Sequence, residues 1–101
     1  VSLFASAKEY TFSPGDVQAM KQLLGSGNLQ PGDAVVLKDG TYHNLEEIHF
    51  TGKGVSGKPI VWRAENPGKA VISGKLRLKI YGEYLQLEDL LFYKAWAIGT
   101  E

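Results

Sequence analysis

Short apolar strands recurring every 25 residues, Gly- and Pro-rich turns between them, and one amphipathic helix ahead of them predict an all-β chain. The expected architecture is a parallel β-helix with an N-terminal α-helical cap. The composition agrees with a folded domain. Of 101 residues, 44% are apolar and 11% aromatic, enough to bury a core, and the length suits a single domain. No stretch approaches the roughly 18 apolar residues of a membrane span, so no membrane partner is expected. Lys plus Arg and Asp plus Glu number 11 each, and this balance gives no reason to expect nucleic acid. The lack of cysteine excludes disulfides, thiol catalysis and Cys-ligated zinc.

The helix comes first. Ser13 can cap it, Pro14 suits the first helical position, and Asp16 stands three residues after the cap. Val17, Met20, Leu23 and Leu24 mark one helical face, and Gly25 and Gly27 end it, so the helix is expected at 14–24. Beyond Gln30 the pattern changes to short alternations at 34–37, 45–50, 60–63, 70–72, 76–80 and 84–87, which read as strands. Turns are expected at 38–40, 51–58 and 66–68. No second helical pattern separates the strands, which argues against an alternating strand–helix fold.

Cutting after Gly57 and Gly82 aligns three pieces, 33–57, 58–82 and 83–101, behind a strand-and-helix cap in 1–30. Val35, Ile60 and Leu85 then fall in register, as do Leu37, Trp62 and Leu87, and the charged Lys38, Arg63 and Glu88. Stacked coils would place the apolar sets inside as ladders and the turns outside. Trp62 alternates with Ile60 and reads as core. The open edge of a first coil needs cover, and the helix is placed to supply it. Strands spaced about 8–12 residues apart also fit an antiparallel sandwich, so that architecture stays open on spacing alone.

The sequence contains two full repeats and part of a third, whereas a stable stack usually needs about three or more. The chain starts at Val1 without a leader pattern, and Leu90–Tyr93 with Ala95–Ile98 forms an apolar run near its end. The expectation is a trimmed, partial β-helix domain whose surface from Leu85 to Ile98 is covered by further coils or by a second chain.

Charge is unevenly placed. Residues 53–82 carry a local balance of +6, and the flanking segments carry −3 each. Lys75, Arg77 and Lys79 alternate with Leu76, Leu78 and Ile80, so a period of two puts the three cations on one outward face. They are the candidate binding residues for an acidic polymer. The competing reading is a solvated strand face that discourages edge pairing. His43, His49, Glu46 and Glu47 match no metal-ligand spacing and are expected at the surface or in packing. Alternation from Leu45 to Phe50 puts Glu47 and His49 on one face and Glu46 on the other. Asp39-Gly40 reads as turn chemistry.

An ordered set of blocks carries a resemblance. It comprises Pro31-Gly32-Asp33 through Thr41-Tyr42, Gly52-Lys53-Gly54 through Ile60 with Arg63-Ala64-Glu65, Pro67-Gly68-Lys69 through Ser73-Gly74, and Gly82 to Leu85. Over roughly residues 1–93 the chain resembles the N-terminal coils of the alginate lyase and chondroitinase B family, polysaccharide lyase family six. The resemblance implies a right-handed parallel β-helix and cleavage of acidic polysaccharides by β-elimination. In the family a lysine removes the proton α to a uronate carboxylate, and calcium and an arginine neutralise that carboxylate. No Asn, Glu, Lys or Arg of this chain matches those residues, and Lys94–Ile98 departs from the family pattern. No catalytic residue, metal ligand or cofactor is therefore assigned to this chain. Calcium is implied only for the full-length family.

The resulting expectation is a secreted or periplasmic protein. It would be the capping and scaffold portion of a polysaccharide lyase, alginate being the expected substrate, inactive on its own because its catalytic residues lie outside this chain. The alternative is a stand-alone, non-catalytic carbohydrate-binding or structural module.

Overall fold

The computed structural model describes residues 7–97. Its elements are β1 (Glu9–Phe12), a 3-10 turn (Pro14–Asp16), α1 (Val17–Gly25), β2 (Ala34–Leu37), β3 (Gly40–His43), β4 (Glu46–Lys53), β5 (Ile60–Ala64), β6 (Ala70–Glu83), β7 (Leu85–Glu88) and β8 (Leu91–Ala97). All pairings between these strands are parallel. One sheet has the order β1-β2-β5-β7. In the other, β3 and β4 lie end to end along one side of β6, and β8 pairs with its other side. The chain alternates between the two sheets as it advances, which is the winding of a parallel β-helix.

The helix starts as its residues dictate. Ser13 N and Oγ donate to Asp16 Oδ2 at 3.0 and 2.8 Å, closing the first turn. These bonds hold the Asp16 carboxyl below the usual carboxylate range. Met20 and Leu24, on the apolar face, are fully buried. They join the inward rows Val35 and Leu37, Ile48 and Phe50, Ile60, Trp62 and Ala64, and Ala70 and Ile72. Phe50 meets Trp62 edge-on with ring centroids 6.3 Å apart. The Trp62 indole Nε1 is buried without a hydrogen-bond partner among the described residues.

The Pro31-Gly32-Asp33 turn is held by a buried carboxylate. Asp33 Oδ2 accepts from Gln30 N at 2.8 Å and Asp33 Oδ1 from Lys8 N at 3.0 Å, while Asp33 N donates back to Gln30 O. One side chain thus fixes the turn and the segment leading to β1.

The two ends of the stack differ. α1 packs along β4, and Lys21 Nζ donates to Leu45 O at 2.9 Å just before that strand. At the other end apolar groups stay open. Ile80 shares an inward row with the buried Phe50 yet is 51% exposed, and Leu91 and Phe92 are 44% and 45% exposed. Leu85, Leu87 and Leu90 are half-buried against the core. Ile98, the last residue of the surface expected to be open, lies outside the described residues.

The register corrects the even period. Ile60 pairs with Leu85, Trp62 with Leu87 and Arg63 with Glu88, the expected step of 25. The preceding step is 27. Val35 pairs with Trp62 and Leu37 with Ala64, so Val35 does not stack on Ile60, nor Leu37 on Trp62. The two added residues lie in the connection, where insertions are tolerated. Because two is even, the inward face is preserved. The second sheet steps by 30 from β4 to β6. The strands expected at 70–72 and 76–80 form one 14-residue strand, β6. β4 runs on to Lys53, into the segment expected as a turn, and β3 forms where no strand was expected.

Candidate functional site

The outward face of β4 and β6 carries a cluster of charged side chains. Glu47 pairs across the ladder with Arg77, and His49 with Lys79. Alternation then places these four, followed by Thr51 and Tyr81, on one face. Glu47 is the hub. Its Oε1 is 3.6 Å from both Arg77 Nη1 and Lys79 Nζ, and its Oε2 is 3.4 Å from His49 Nε2. The adjacent His49 ring, then the Lys79 ammonium and more weakly Arg77, hold the Glu47 carboxyl below its ordinary range against a small opposing effect of burial. All four side chains remain open to solvent, from 34% exposed for Arg77 to 48% for Glu47. A polymer carboxylate can therefore reach them.

The three predicted cations are not equivalent. Arg77 and Lys79 converge on Glu47. Lys75 stands apart, exposed, where β6 passes Gly74. Its backbone N donates to Asn44 Oδ1 at 2.8 Å. Asn44 and Gly74 both have left-handed backbone, with φ of 52° and 81°. Gly74 is required there because a Cβ would run into the Asn44 side chain. This corner lies just ahead of Lys75, so all three cations follow it on the same strand.

Two depressions flank the charged row. A shallow cleft of about 370 Å³ lies between α1 and β4, lined by Gln18, Lys21, Gln22, Gly25, Glu47 and His49. A larger one of about 560 Å³ lies beyond Lys79, bounded by Gln30, Pro31, Thr51, Lys53 and Tyr81. Sequence reasoning assigned Glu47 and His49 no binding role and did not single out Tyr81. The signal for the first two was the alternation that put them on one face. What it lacked was the step of 30 that sets them opposite Arg77 and Lys79.

Residues 17–98 match the sequence profile of chondroitinase B. The chain belongs to the chondroitinase B family. Among solved structures it is similar to a mannuronic acid specific polysaccharide family 6 lyase from human gut microbiota, at 96% identity and a TM-score of 0.90. That match covers 91% of this chain and 21% of the other. The family 6 alginate lyase AlyGC is similar at 27% identity and a TM-score of 0.71, over 90% of this chain and 12% of that one. An alginate lyase of the same family in complex with a trisaccharide gives 27% identity and a TM-score of 0.68, over 94% and 19%. The chain thus spans about a fifth or less of the length of these lyases. No curated protein sequence matches it.

Calcium is the cation that the family resemblance implies, and the present residues do not fit it. Among the described residues no three His, Asp or Glu side chains group together. The best-placed carboxylate, Glu47, is surrounded by cations in place of further oxygen ligands.

Proposed function

We propose that this chain forms the helix-capped N-terminal part of an alginate lyase acting on mannuronate-rich polymer by β-elimination, with the catalytic residues and any calcium in coils outside it. The observation that carries this reading is the 96% identity to a mannuronic acid specific lyase across 91% of the chain. The role within the enzyme is mechanical and electrostatic. α1 covers the β4 end of the stack, with Lys21 bonded to Leu45 O, and shields a sheet edge that would otherwise pair with other chains. The half-open apolar rows at Ile80, Leu85, Leu87, Leu91 and Phe92 supply the surface on which the next coil stacks. Lys75, Arg77 and Lys79 provide positive charge along the outer face for the uronate carboxylates. A polymeric substrate of this kind suits a secreted or periplasmic protein.

The test is native mass spectrometry of material from the source, with the absorbance of the unsaturated product read on the same sample. The expected result is the present sequence within, or bound to, a longer β-helix with lyase activity on polymannuronate. A lone and inactive 11.1 kDa species would overturn the reading and leave a stand-alone carbohydrate-binding or structural module.

A further inference from the structure

The 560 Å³ cleft beyond the charged row has features that the cations do not explain. Tyr81 forms one wall and is 50% exposed. The His49 ring stands 5.8 Å from it at a tilt of 54°, bracing one side and leaving the rest of the tyrosine toward solvent. The floor is bare, because Gly52 and Gly82 stack in register and a Cβ on Gly82 would be built into Gly52 O. Pro31 and Leu29 add apolar surface, while Gln30, Thr51 and Lys53 add polar groups at the rim. Among the described residues no ion pair or hydrogen bond engages Lys53 Nζ or the Tyr81 hydroxyl. Glu83 stands opposite Lys53 in the ladder without pairing with it.

A sugar ring has apolar C–H faces and polar edges. A half-exposed aromatic wall with a few polar groups at the rim matches that pattern, and the volume lies in the range of small-ligand sites. We infer that this cleft is a sugar subsite, in which a uronate ring stacks on Tyr81 and its carboxylate meets Lys53. Arg77, Lys79 and Tyr81 alternate along β6, so successive outward positions are about 7 Å apart. One oligosaccharide lying along the strand therefore spans the cations and the platform together. The identity of the ligand rests on the polyuronate reading above. The stacking platform rests on the cleft itself.

Calorimetric titration of the full chain tests this, with oligomannuronate and its neutral carboxyl-reduced counterpart as probes. Tyr81→Ala is expected to weaken both ligands about tenfold, equivalent to about 1.4 kcal/mol. Tyr81→Phe keeps the ring and is expected to retain wild-type affinity. Lys53→Gln is expected to weaken only the acidic ligand. If the wild-type chain binds neither probe, or Tyr81→Ala binds both as wild type does, the subsite is overturned. Where Tyr81→Ala is neutral while Arg77→Gln and Lys79→Gln weaken the acidic probe, the subsite falls and the polyuronate reading stands. Where Tyr81→Ala weakens both probes but the acidic one binds no better than the neutral one, the subsite stands and the polyuronate reading fails.

Discussion

Glu47 Oε1 stands 3.6 Å from Lys79 Nζ, and the same oxygen is equally close to Arg77 Nη1. A carboxylate of the protein thus occupies the place between the two cations. Any acidic ligand at this face must displace Glu47 or share the cations with it. The charge that the sequence displays as a simple basic stripe is in the fold partly neutralised by Glu47.

Glu47→Gln is therefore expected to raise affinity for polymannuronate severalfold at low ionic strength. The gain should shrink as salt is added, because these side chains are exposed and screened. Retention on an immobilised polyuronate at increasing salt is the measurement. Unchanged retention would show that Arg77 and Lys79 do not contact the polymer. The sign of the pH effect follows from the lowered Glu47 pKa. The cluster contributes to stability above the ordinary glutamate pKa, and this is lost as pH falls through the depressed value.

That cluster also marks where the sequence stopped being legible. The helix could be read because Ser13, Pro14 and Asp16 act within one turn, and the sheet of β2, β5 and β7 because β5 and β7 alternate and β2 is a short apolar run bounded by turn residues. Contacts between coils depend on loop length, which no local rule sets. A uniform step of 25 places Glu47 opposite Ile72, whereas the observed step of 30 places it opposite Arg77. The two sheets advance by different steps because the connections between them differ in length. Gly74 misled for another reason. It reads as a strand breaker, but β6 continues through it in left-handed backbone, so two expected strands became one.

Asp33 is 4% exposed and satisfies two backbone donors, Lys8 N and Gln30 N. Asp33→Ala leaves both without that acceptor and is expected to cost about 2–4 kcal/mol. Urea unfolding should show a lower midpoint with an unchanged slope. A loss below about 0.5 kcal/mol, the range of an ordinary surface change, would mean that the carboxylate does not hold the turn.

Tyr42 gives a prediction at the alkaline end. Its hydroxyl is buried against Lys38 O at 2.8 Å and Phe12 O at 3.2 Å. Burial first, then the charges of Asp16, Asp39 and Glu65, push its pKa up to about 12. A raised folded-state pKa contributes stability that is fully present below the unfolded value of about 10 and lost as pH climbs toward the folded value. Stability should therefore decline between about pH 10 and 12. Tyr42→Phe should remove that contribution at a cost of about 1 kcal/mol near neutrality. Tyrosinate absorbance during alkaline titration should show one phenol ionising late in the wild type and none in the variant.

Gly74 offers the sharpest test of the corner that leads β6 into its cationic stretch. Its φ of 81° strains any other residue, and a Cβ would meet the Asn44 side chain that accepts from Lys75 N. Gly74→Ala is expected to destabilise by about 2–4 kcal/mol, combining left-handed strain with the displaced Asn44 bond. Gly15 is the internal control, since a Cβ there meets nothing within 4 Å. Gly15→Ala should be neutral or stabilising by up to about 1 kcal/mol, because alanine restricts the unfolded chain. Thermal unfolding of both variants side by side decides the matter. Equal midpoints would show that β6 can pass the corner without glycine.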